Sequence, residues 1–177
     1  MKRTKYTPND FIIEGNICKI SCYDLFCKFK GFAIIDLDDM ERCKQYKWCI
    51  DSHNYVMDSK NNKLHNFILN IKPPIRSDHK NRNSLDCRKE NLRICTHAEN
   101  NYNQGLKQNN TSGYKGVSWD RGKWTARITK CGKLYLLGAF DNKEEAALAY
   151  NKKAIELFGE FAFLNVVKLV LIKRKLL

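Results

Sequence analysis

Hydrophobic and polar positions alternate over short distances along the first seventy residues. Short runs of apolar, β-branched and aromatic residues are separated by Gly, Asn and Asp, which is typical of strands joined by turns. The predicted strands cover 11–13, 17–20, 32–35, 48–50 and 55–57. An acidic run from Asp36 predicts a short helix that ends near Lys47. Residues 64–70 fit either a short helix or a strand.

The pattern changes between residues 75 and 104. Residues 75–95 predict a hairpin with a long irregular loop, whose second strand covers 91–95. Thr96 and Glu99 have the spacing of a capping box, which predicts a helix that starts at His97. The expected order is therefore strand, loop, strand, helix.

Residues 104–113 are polar and rich in turn formers, and they predict a linker to a second unit. Strands are expected over 116–119, 123–130 and 133–137, with a helix over 142–157. Apolar residues recur along this helix at helical spacing. They are Ala146, Ala149, Tyr150, Ala154 and Leu157. Strand alternation turns Trp124, Ala126 and Ile128 toward the helix, and Lys123, Thr125, Arg127 and Thr129 away from it.

The charge is unevenly distributed. The chain of 177 residues has a net charge of +13, with 32 basic and 19 acidic residues, and almost all of the excess follows residue 60. A basic field of this size favours a polyanionic partner, most commonly nucleic acid. Solubility alone is the alternative explanation.

The eight cysteines favour reduced thiols rather than disulfides. The N-terminal segment MKRTKYTPND lacks the apolar run of a signal peptide, so an intracellular, reducing setting is expected. No CxxC pair is present, which leaves a zinc site only weakly indicated. Cys18, Ile20 and Cys22 alternate as in a strand, so we expect buried thiols. The chain also lacks an apolar run long enough for a membrane span.

One segment combines several groups that suit phosphodiester chemistry. Ser77-Asp78-His79-Lys80-Asn81 is followed by Leu85-Asp86-Cys87-Arg88, by Asn91-Leu92-Arg93 and by Thr96-His97-Ala98-Glu99-Asn100. A His beside a carboxylate, with an Asn near the start of the next helix, suits one general base and one hard divalent cation. The segment resembles the HNH, or ββα-metal, nucleases found among homing endonucleases.

The resemblance implies roles for individual residues. His79 would be the general base, with Asp78 and Asn100 as ligands of Mg²⁺ or Mn²⁺. Asn91 would act in catalysis or order the loop, and Arg93 would contact the phosphate or brace its strand. An upstream His that is common in these proteins corresponds to His65, for which we favour a structural role. The chain departs from the family pattern at Cys87, where Asn is usual.

A second resemblance covers residues 112–165. Tyr114-Lys115-Gly116-Val117-Ser118-Trp119, Gly122-Lys123-Trp124-Thr125-Ala126-Arg127-Ile128 and Glu144-Glu145-Ala146-Ala147-Leu148-Ala149-Tyr150 resemble an AP2/ERF domain. That family lays a three-stranded sheet, backed by one helix, in the major groove of DNA. The implied DNA contacts are Lys115, Lys123, Arg127, Thr129 and Tyr150. Ser118 and Thr129 replace arginines of the plant pattern, and an aromatic is usual near Leu136.

Together these patterns predict an α+β protein. Its expected parts are a β-rich segment (1–63), an HNH core with a ββα-metal fold (64–104), a linker (105–112), an AP2-like domain (113–165) and a basic tail (166–177). The predicted function is a monomeric, metal-dependent endonuclease acting on double-stranded DNA, without a membrane or obligate protein partner. A virus, phage or mobile element is a plausible context. The alternatives are a non-catalytic DNA-binding transcription regulator and a nuclease acting on RNA.

Overall fold

The computed structural model describes Thr4, residues 7–24 and residues 26–167. The chain divides into two compact units, Met1–Asn100 and Asn101–Leu177. Several small sheets and few helices make up the described residues, which confirms the predicted α+β class. Most of the predicted basic tail, from residue 168 onward, lies outside the described residues.

The first unit is built from short elements. Its strands are β1 (Phe11–Glu14), β2 (Ile17–Tyr23), β3 (Phe29–Asp36), β4 (Cys49–Ile50), β5 (Val56–Met57), β6 (Arg76–His79) and β7 (Leu92–Cys95). Its helices are α1 (Met40–Lys44), α2 (Leu64–Ile68) and the start of α3 (His97–Asn103). The predicted early strands are thus confirmed, and residues 64–68 prove to be helical.

Strand β2 is the centre of the larger sheet. It pairs with β1 and β3 in antiparallel register and meets β4 in parallel at Tyr23, and β4 continues to β5. Cys18, Ile20 and Cys22 are fully buried, as their alternation predicts. Trp48 was expected in a strand, but β4 begins one residue later. Trp48 is instead a core residue whose indole N–H donates to the backbone oxygen of Cys43 (3.0 Å).

The hairpin β6–β7 carries the predicted nuclease motif. Asp78 pairs with Arg93, and His79 pairs with Leu92 at the end of β6. The loop between the strands is anchored to the edge of β3, because Ile34 N–H donates to Leu85 O and Cys87 N–H donates to Ile34 O, both at 2.8 Å. Since backbone hydrogen bonds hold the loop against a sheet, this long connection has a defined path.

Helix α3 follows β7 directly, at the predicted residue. The Thr96 hydroxyl accepts from Glu99 N–H (3.2 Å), and a Glu99 carboxylate oxygen accepts from Thr96 N–H (2.7 Å). These reciprocal bonds confirm the capping box. They fix where α3 starts, and therefore place Asn100 in its first turn.

The second unit contains one sheet and one long helix among its described residues. Its strands are β8 (Val117–Asp120), β9 (Lys123–Lys130) and β10 (Lys133–Phe140), and its helix is α4 (Lys143–Phe158). The strands are antiparallel in the order β10-β9-β8. Asn142 caps α4 by accepting from Glu144 N–H (2.7 Å), and Cys131 and Gly132 both adopt positive φ in the tight turn before β10.

Helix α4 covers one face of this sheet. Ala126 and Ile128 are buried beneath it, with Ala146, Ala147 and Tyr150 on the helix side. The alternation predicted for β9 is therefore confirmed. A β-bulge between Leu136 and Gly138 interrupts the β9–β10 register. Because a bulge adds one residue to one strand, Phe140 beyond it packs in the core as Leu137 does, while Leu136 stays exposed.

All eight cysteines are free thiols, and all lie within the described residues. Burial raises the pKa of the Cys22 and Cys43 thiols to about 12. In the part of the chain that the structure describes, no helix has the length and apolar character that crossing a bilayer requires.

Candidate active site

Asp78 and His79 end strand β6 side by side, and both are buried, with only 7% and 6% of their surface exposed. Burial lowers the pKa of His79, and the Asp78 and Asp86 carboxylates oppose that effect. Burial therefore favours neutral His79, the protonation state that a general base requires.

Two rings, those of His65 and Tyr55, lie beside this histidine. The His65 ring lies edge-on to that of His79, with centroids 4.9 Å apart, and the Tyr55 ring is 5.5 Å from His65 and 6.2 Å from His79. Burial, with the charges of His79 and Lys63, lowers the pKa of His65 to about 3. His65 Nδ1 is buried without a hydrogen-bond partner. Sequence reasoning noted His65 but not Tyr55, whose place beside the histidines follows from tertiary packing.

Cys87 packs against the ring of His79. Its Sγ lies 3.9 Å from His79 Nε2 and 3.8 Å from the backbone oxygen of Ser84. The thiol is completely buried, and burial raises its pKa strongly. A neutral thiol that contacts an imidazole and a carbonyl oxygen is a packing and weak hydrogen-bonding group.

Asp78 is held by Arg93 across the hairpin. Arg93 Nε and one terminal nitrogen both donate to Asp78 Oδ2, at 3.0 and 2.6 Å. Each side chain is only 8% exposed. Of the two roles considered for Arg93, this contact supports bracing, because a buried carboxylate needs a partner for its charge.

Asn91 orders the loop through bonds to both its sides. Its Oδ1 accepts from Asn81 N–H (2.9 Å), and its Nδ2 donates to Asn81 Oδ1 (3.0 Å) and to Asp86 O (2.7 Å). The Arg88 guanidinium bonds to both Asp86 carboxylate oxygens at 2.8 Å, and it is the main reason why the pKa of Asp86 is lowered. Asn91 thus has the contacts of a loop-ordering residue rather than of a residue aimed at substrate.

The donor chemistry of the predicted metal ligands fits a hard cation. Asp78 offers carboxylate oxygens, and Asn100, half-buried in the first turn of α3, offers an amide oxygen. Mg²⁺ is commonly held by one or two protein oxygens, with water and phosphate oxygens completing its shell. Within the described residues no group of three or more His, Cys, Asp or Glu side chains is placed to bind a metal.

The predicted DNA contacts of the second unit differ in exposure. Lys123, Arg127 and Thr129 are exposed on the sheet face opposite α4, whereas Tyr150 is 3% exposed, and burial raises its pKa to about 12. Lys115 Nζ donates to two backbone oxygens, Tyr102 O (2.9 Å) and Gln104 O (2.6 Å). The ammonium of Lys115 thus braces the end of α3 and the residue that follows it.

Known proteins are similar either to nearly the full length of this chain or to a part of it. No protein-family model matches. Protein 3.8 of Escherichia phage T7 is 37% identical over 48% of this chain and 71% of its own length. A dehydration-responsive element-binding protein of Oryza sativa is 44% identical over 36% of this chain, a region that spans only 21% of the plant protein.

A viral relative aligns over nearly the full length. The protein of Acanthamoeba polyphaga mimivirus named as uncharacterized HNH endonuclease L560 is 31% identical over 94% of this chain and 90% of its own length. The match includes the hairpin and helix that carry Asp78, His79 and Asn100, since it leaves few residues unaligned. The chain therefore belongs to the HNH endonuclease family.

Proposed function

We propose that this protein is a metal-dependent endonuclease that hydrolyses phosphodiester bonds in double-stranded DNA. The observation that carries the proposal is the place of Asp78 and His79 at the end of β6, in a hairpin that runs directly into α3. This order supports a ββα-metal core over residues 64–104. Membership of the HNH endonuclease family supports the same reaction class.

His79 takes a proton from the attacking water at its imidazole nitrogen. Packing against His65 and Cys87 holds the ring in one orientation, so the base does not have to be reorganised during the reaction. Asp78 and Asn100 would hold Mg²⁺ or Mn²⁺, which would neutralise charge on the phosphate. Arg93 keeps Asp78 in place through two hydrogen bonds to Oδ2.

The second unit positions the nuclease on DNA. Its exposed face presents Lys123, Arg127 and Thr129, and similarity to plant DNA-binding proteins over about a third of the chain supports an AP2-like role. The alternative is a DNA-binding regulator that does not cut. A viral or phage context accords with the viral and phage relatives.

Cleavage of supercoiled plasmid with Mg²⁺ tests the proposal. His79→Ala should slow cleavage by at least about 100-fold. Its affinity for a duplex fragment of the same plasmid, measured by gel shift, should stay equal to that of the parent protein. His53→Ala is the matched control, because His53 is exposed on a turn remote in sequence from the motif. EDTA should stop the parent protein.

The pH dependence gives a second measure of the same assignment. Because burial lowers the pKa of His79, the rate should hold down to a pH below about 6.5, the ordinary histidine value, before it falls. Binding without cleavage by the parent protein would support the regulator instead, and undiminished cleavage by His79→Ala would remove His79 from its role.

A further inference from the structure

The outward face of the three-stranded sheet carries two exposed leucines beside its single arginine. Leu136 is 78% exposed and lies directly opposite Arg127, and Leu134 is 52% exposed and lies opposite Thr129. Directly paired residues of an antiparallel ladder point to the same side of the sheet. Arg127, Thr129 and the two leucines therefore form one continuous patch.

Strand pleating produces this arrangement. Leu134 and Leu136 precede the bulge and lie on the exposed side of β10, whereas Leu137 packs in the core. The extra residue at position 137 shifts the alternation beyond the bulge by one, so that Phe140 also packs in the core. Because Leu134 and Leu136 are exposed in the monomer, packing within the second unit does not explain why these positions are apolar.

The patch borders a groove that suits a polyanion. Arg127, Thr129 and Leu134 line it, together with Asn101 in α3 and with Lys107 and Lys115 further along the chain. Three cationic side chains and an amide thus accompany the apolar wall. All of these residues belong to the second unit.

We propose that Leu134 and Leu136 make this face selective for thymine in the major groove of double-stranded DNA, next to a guanine bound by Arg127. The proposal rests on the proposed function, in which the sheet binds DNA. In the major groove, thymine alone among the four bases presents a methyl group, beside its O4 acceptor, whereas the other base edges offer hydrogen-bond donors and acceptors without a methyl group. A leucine side chain can contact a methyl group favourably but cannot satisfy a donor or an acceptor.

A second copy of the chain fits the patch less well than DNA does. Stable homodimers bury large, mainly apolar surfaces, and here two leucines stand among Arg127, Thr129 and Thr125. In a two-fold contact through this face, Arg127 would also approach its own symmetry mate. The positive charge of Arg127 and the small apolar area that two leucines offer together favour an anionic partner.

The test uses the full chain in EDTA, so that binding is measured without cleavage. A preferred duplex is first selected from a randomised library, and each of its thymines is then replaced by deoxyuridine, which removes the methyl group alone. Affinity should fall about fourfold for each methyl group that the leucines contact, the effect of burying one methyl-sized group. The variant that carries both Leu134→Ala and Leu136→Ala should bind the thymine and deoxyuridine duplexes equally.

Leu148→Ala is the matched control, because Leu148 is 45% exposed on α4 and its variant should keep the preference for thymine. Equal affinity of the parent for the two duplexes would overturn the thymine assignment and leave DNA binding intact. Binding to no duplex at all would instead reject the proposed function, in which the sheet binds DNA. Dimers in sedimentation that Leu136→Ala dissociates, without any thymine preference, would assign the patch to a second copy.

Discussion

The loop between β6 and β7 and the outward face of the second sheet both present polar side chains, but they are built in opposite ways. In the loop, Asp86 and Asn91 are buried and bonded to their neighbours. On the sheet, Arg127 and Thr129 are exposed. The sequence alone shows polar side chains in both regions.

The difference follows from what each region must do. A catalytic group gains from fixed geometry and a low local dielectric, which strengthens its electrostatic interactions. A groove-reading surface must instead leave donors and apolar groups accessible to the bases. Substitutions in the loop should therefore change stability, and substitutions at the sheet face should change DNA affinity. The exceptions are positions where the second unit packs against helix α4.

The largest effect on stability is expected at Gly116, which lies against Tyr150 of helix α4. A Cβ added to Gly116 would lie 2.1 Å from the Tyr150 ring and 2.6 Å from Arg127 O, and Gly116 has φ +74°. Gly116→Ala should destabilise the second unit by about 3 kcal/mol or more, since it combines overpacking with backbone strain. Hydrogen exchange on the full chain measures this for each unit separately.

Gly122→Ala separates the two causes. Gly122 has a similar φ of +81° but has no atom within 4 Å of an added Cβ. This variant should lose only about 1–2 kcal/mol, the strain of a left-handed conformation. Equal losses for the two variants would show that contact with Tyr150 is unimportant.

In the loop, Asn91→Ala should destabilise the first unit by about 2–3 kcal/mol. The change leaves Asn81 N–H and Asp86 O without their buried partner, and each such group is costly to leave unsatisfied. Cleavage should fall along with stability, because His79 lies at the base of the same loop. Chemical denaturation and plasmid cleavage are the two measurements.

Asn83→Ala is the control for that loss. Asn83 is exposed in the same loop, and its Oδ1 bonds only locally, to Leu85 N–H (3.1 Å). We expect a change within about 0.5 kcal/mol, as is usual for surface positions. Comparable losses of stability for the two variants would mean that the burial of Asn91 adds nothing to the stability of the first unit.

His65 should make the first unit sensitive to mild acid. Its pKa is about 3 when folded and about 6.5 when unfolded, so below pH 6.5 the unfolded state binds a proton that the folded state excludes. Stability should therefore be full above pH 6.5 and fall toward pH 3, by up to about 1.4 kcal/mol per pH unit.

His65→Phe keeps a ring between Tyr55 and His79 but removes this titration. Denaturant unfolding between pH 7 and pH 5 should show a shallower pH dependence for this variant, with a difference of about 1–2 kcal/mol at pH 5. His53→Ala, at an exposed histidine, should keep the slope of the parent. An unchanged slope in His65→Phe would mean that the buried ring is protonated as readily as a free one.

Local patterns predicted much of the fold. The capping box at Thr96 and Glu99, the alternation of β9 and the start of α4 near residue 142 depend on neighbours within a few residues, so the sequence displays them directly. Strand ends were less predictable. Strand β10 continues to Phe140 through a bulge, which depends on packing against α4.

The contacts of the candidate site were mostly not predictable. Cys87 meets His79 across the loop, and His65 reaches the same ring from α2. Neither contact has a spacing signature, because the Cys87 contact depends on the path of an irregular loop and the His65 contact depends on how α2 packs against β6. The pairing of Arg93 with Asp78 follows from hairpin register, which the length of an irregular loop does not specify.

The smallest effects on stability are expected at the edge of the DNA-facing sheet, where Lys123 forms an exposed ion pair with Asp141. Exposed pairs contribute little, so Lys123→Ala and Asp141→Asn should each change the unfolding free energy by less than about 1 kcal/mol. Their effects on DNA binding should differ in sign.

Lys123→Ala removes a cation and should weaken binding, lowering the slope of log affinity against log salt by about 0.9 if one phosphate contact is lost. Asp141→Asn removes a negative charge and releases the Lys123 ammonium, so binding should tighten. Fluorescence anisotropy over a salt series measures both. If Asp141→Asn weakens binding as much as Lys123→Ala does, the pair acts by fixing the end of the sheet, and Lys123 is not a phosphate contact. Opposite changes in DNA affinity, with the same unfolding free energy in both variants, would place Lys123 within the DNA-binding face. The two variants break the same ion pair and differ only in the sign of the charge that is removed.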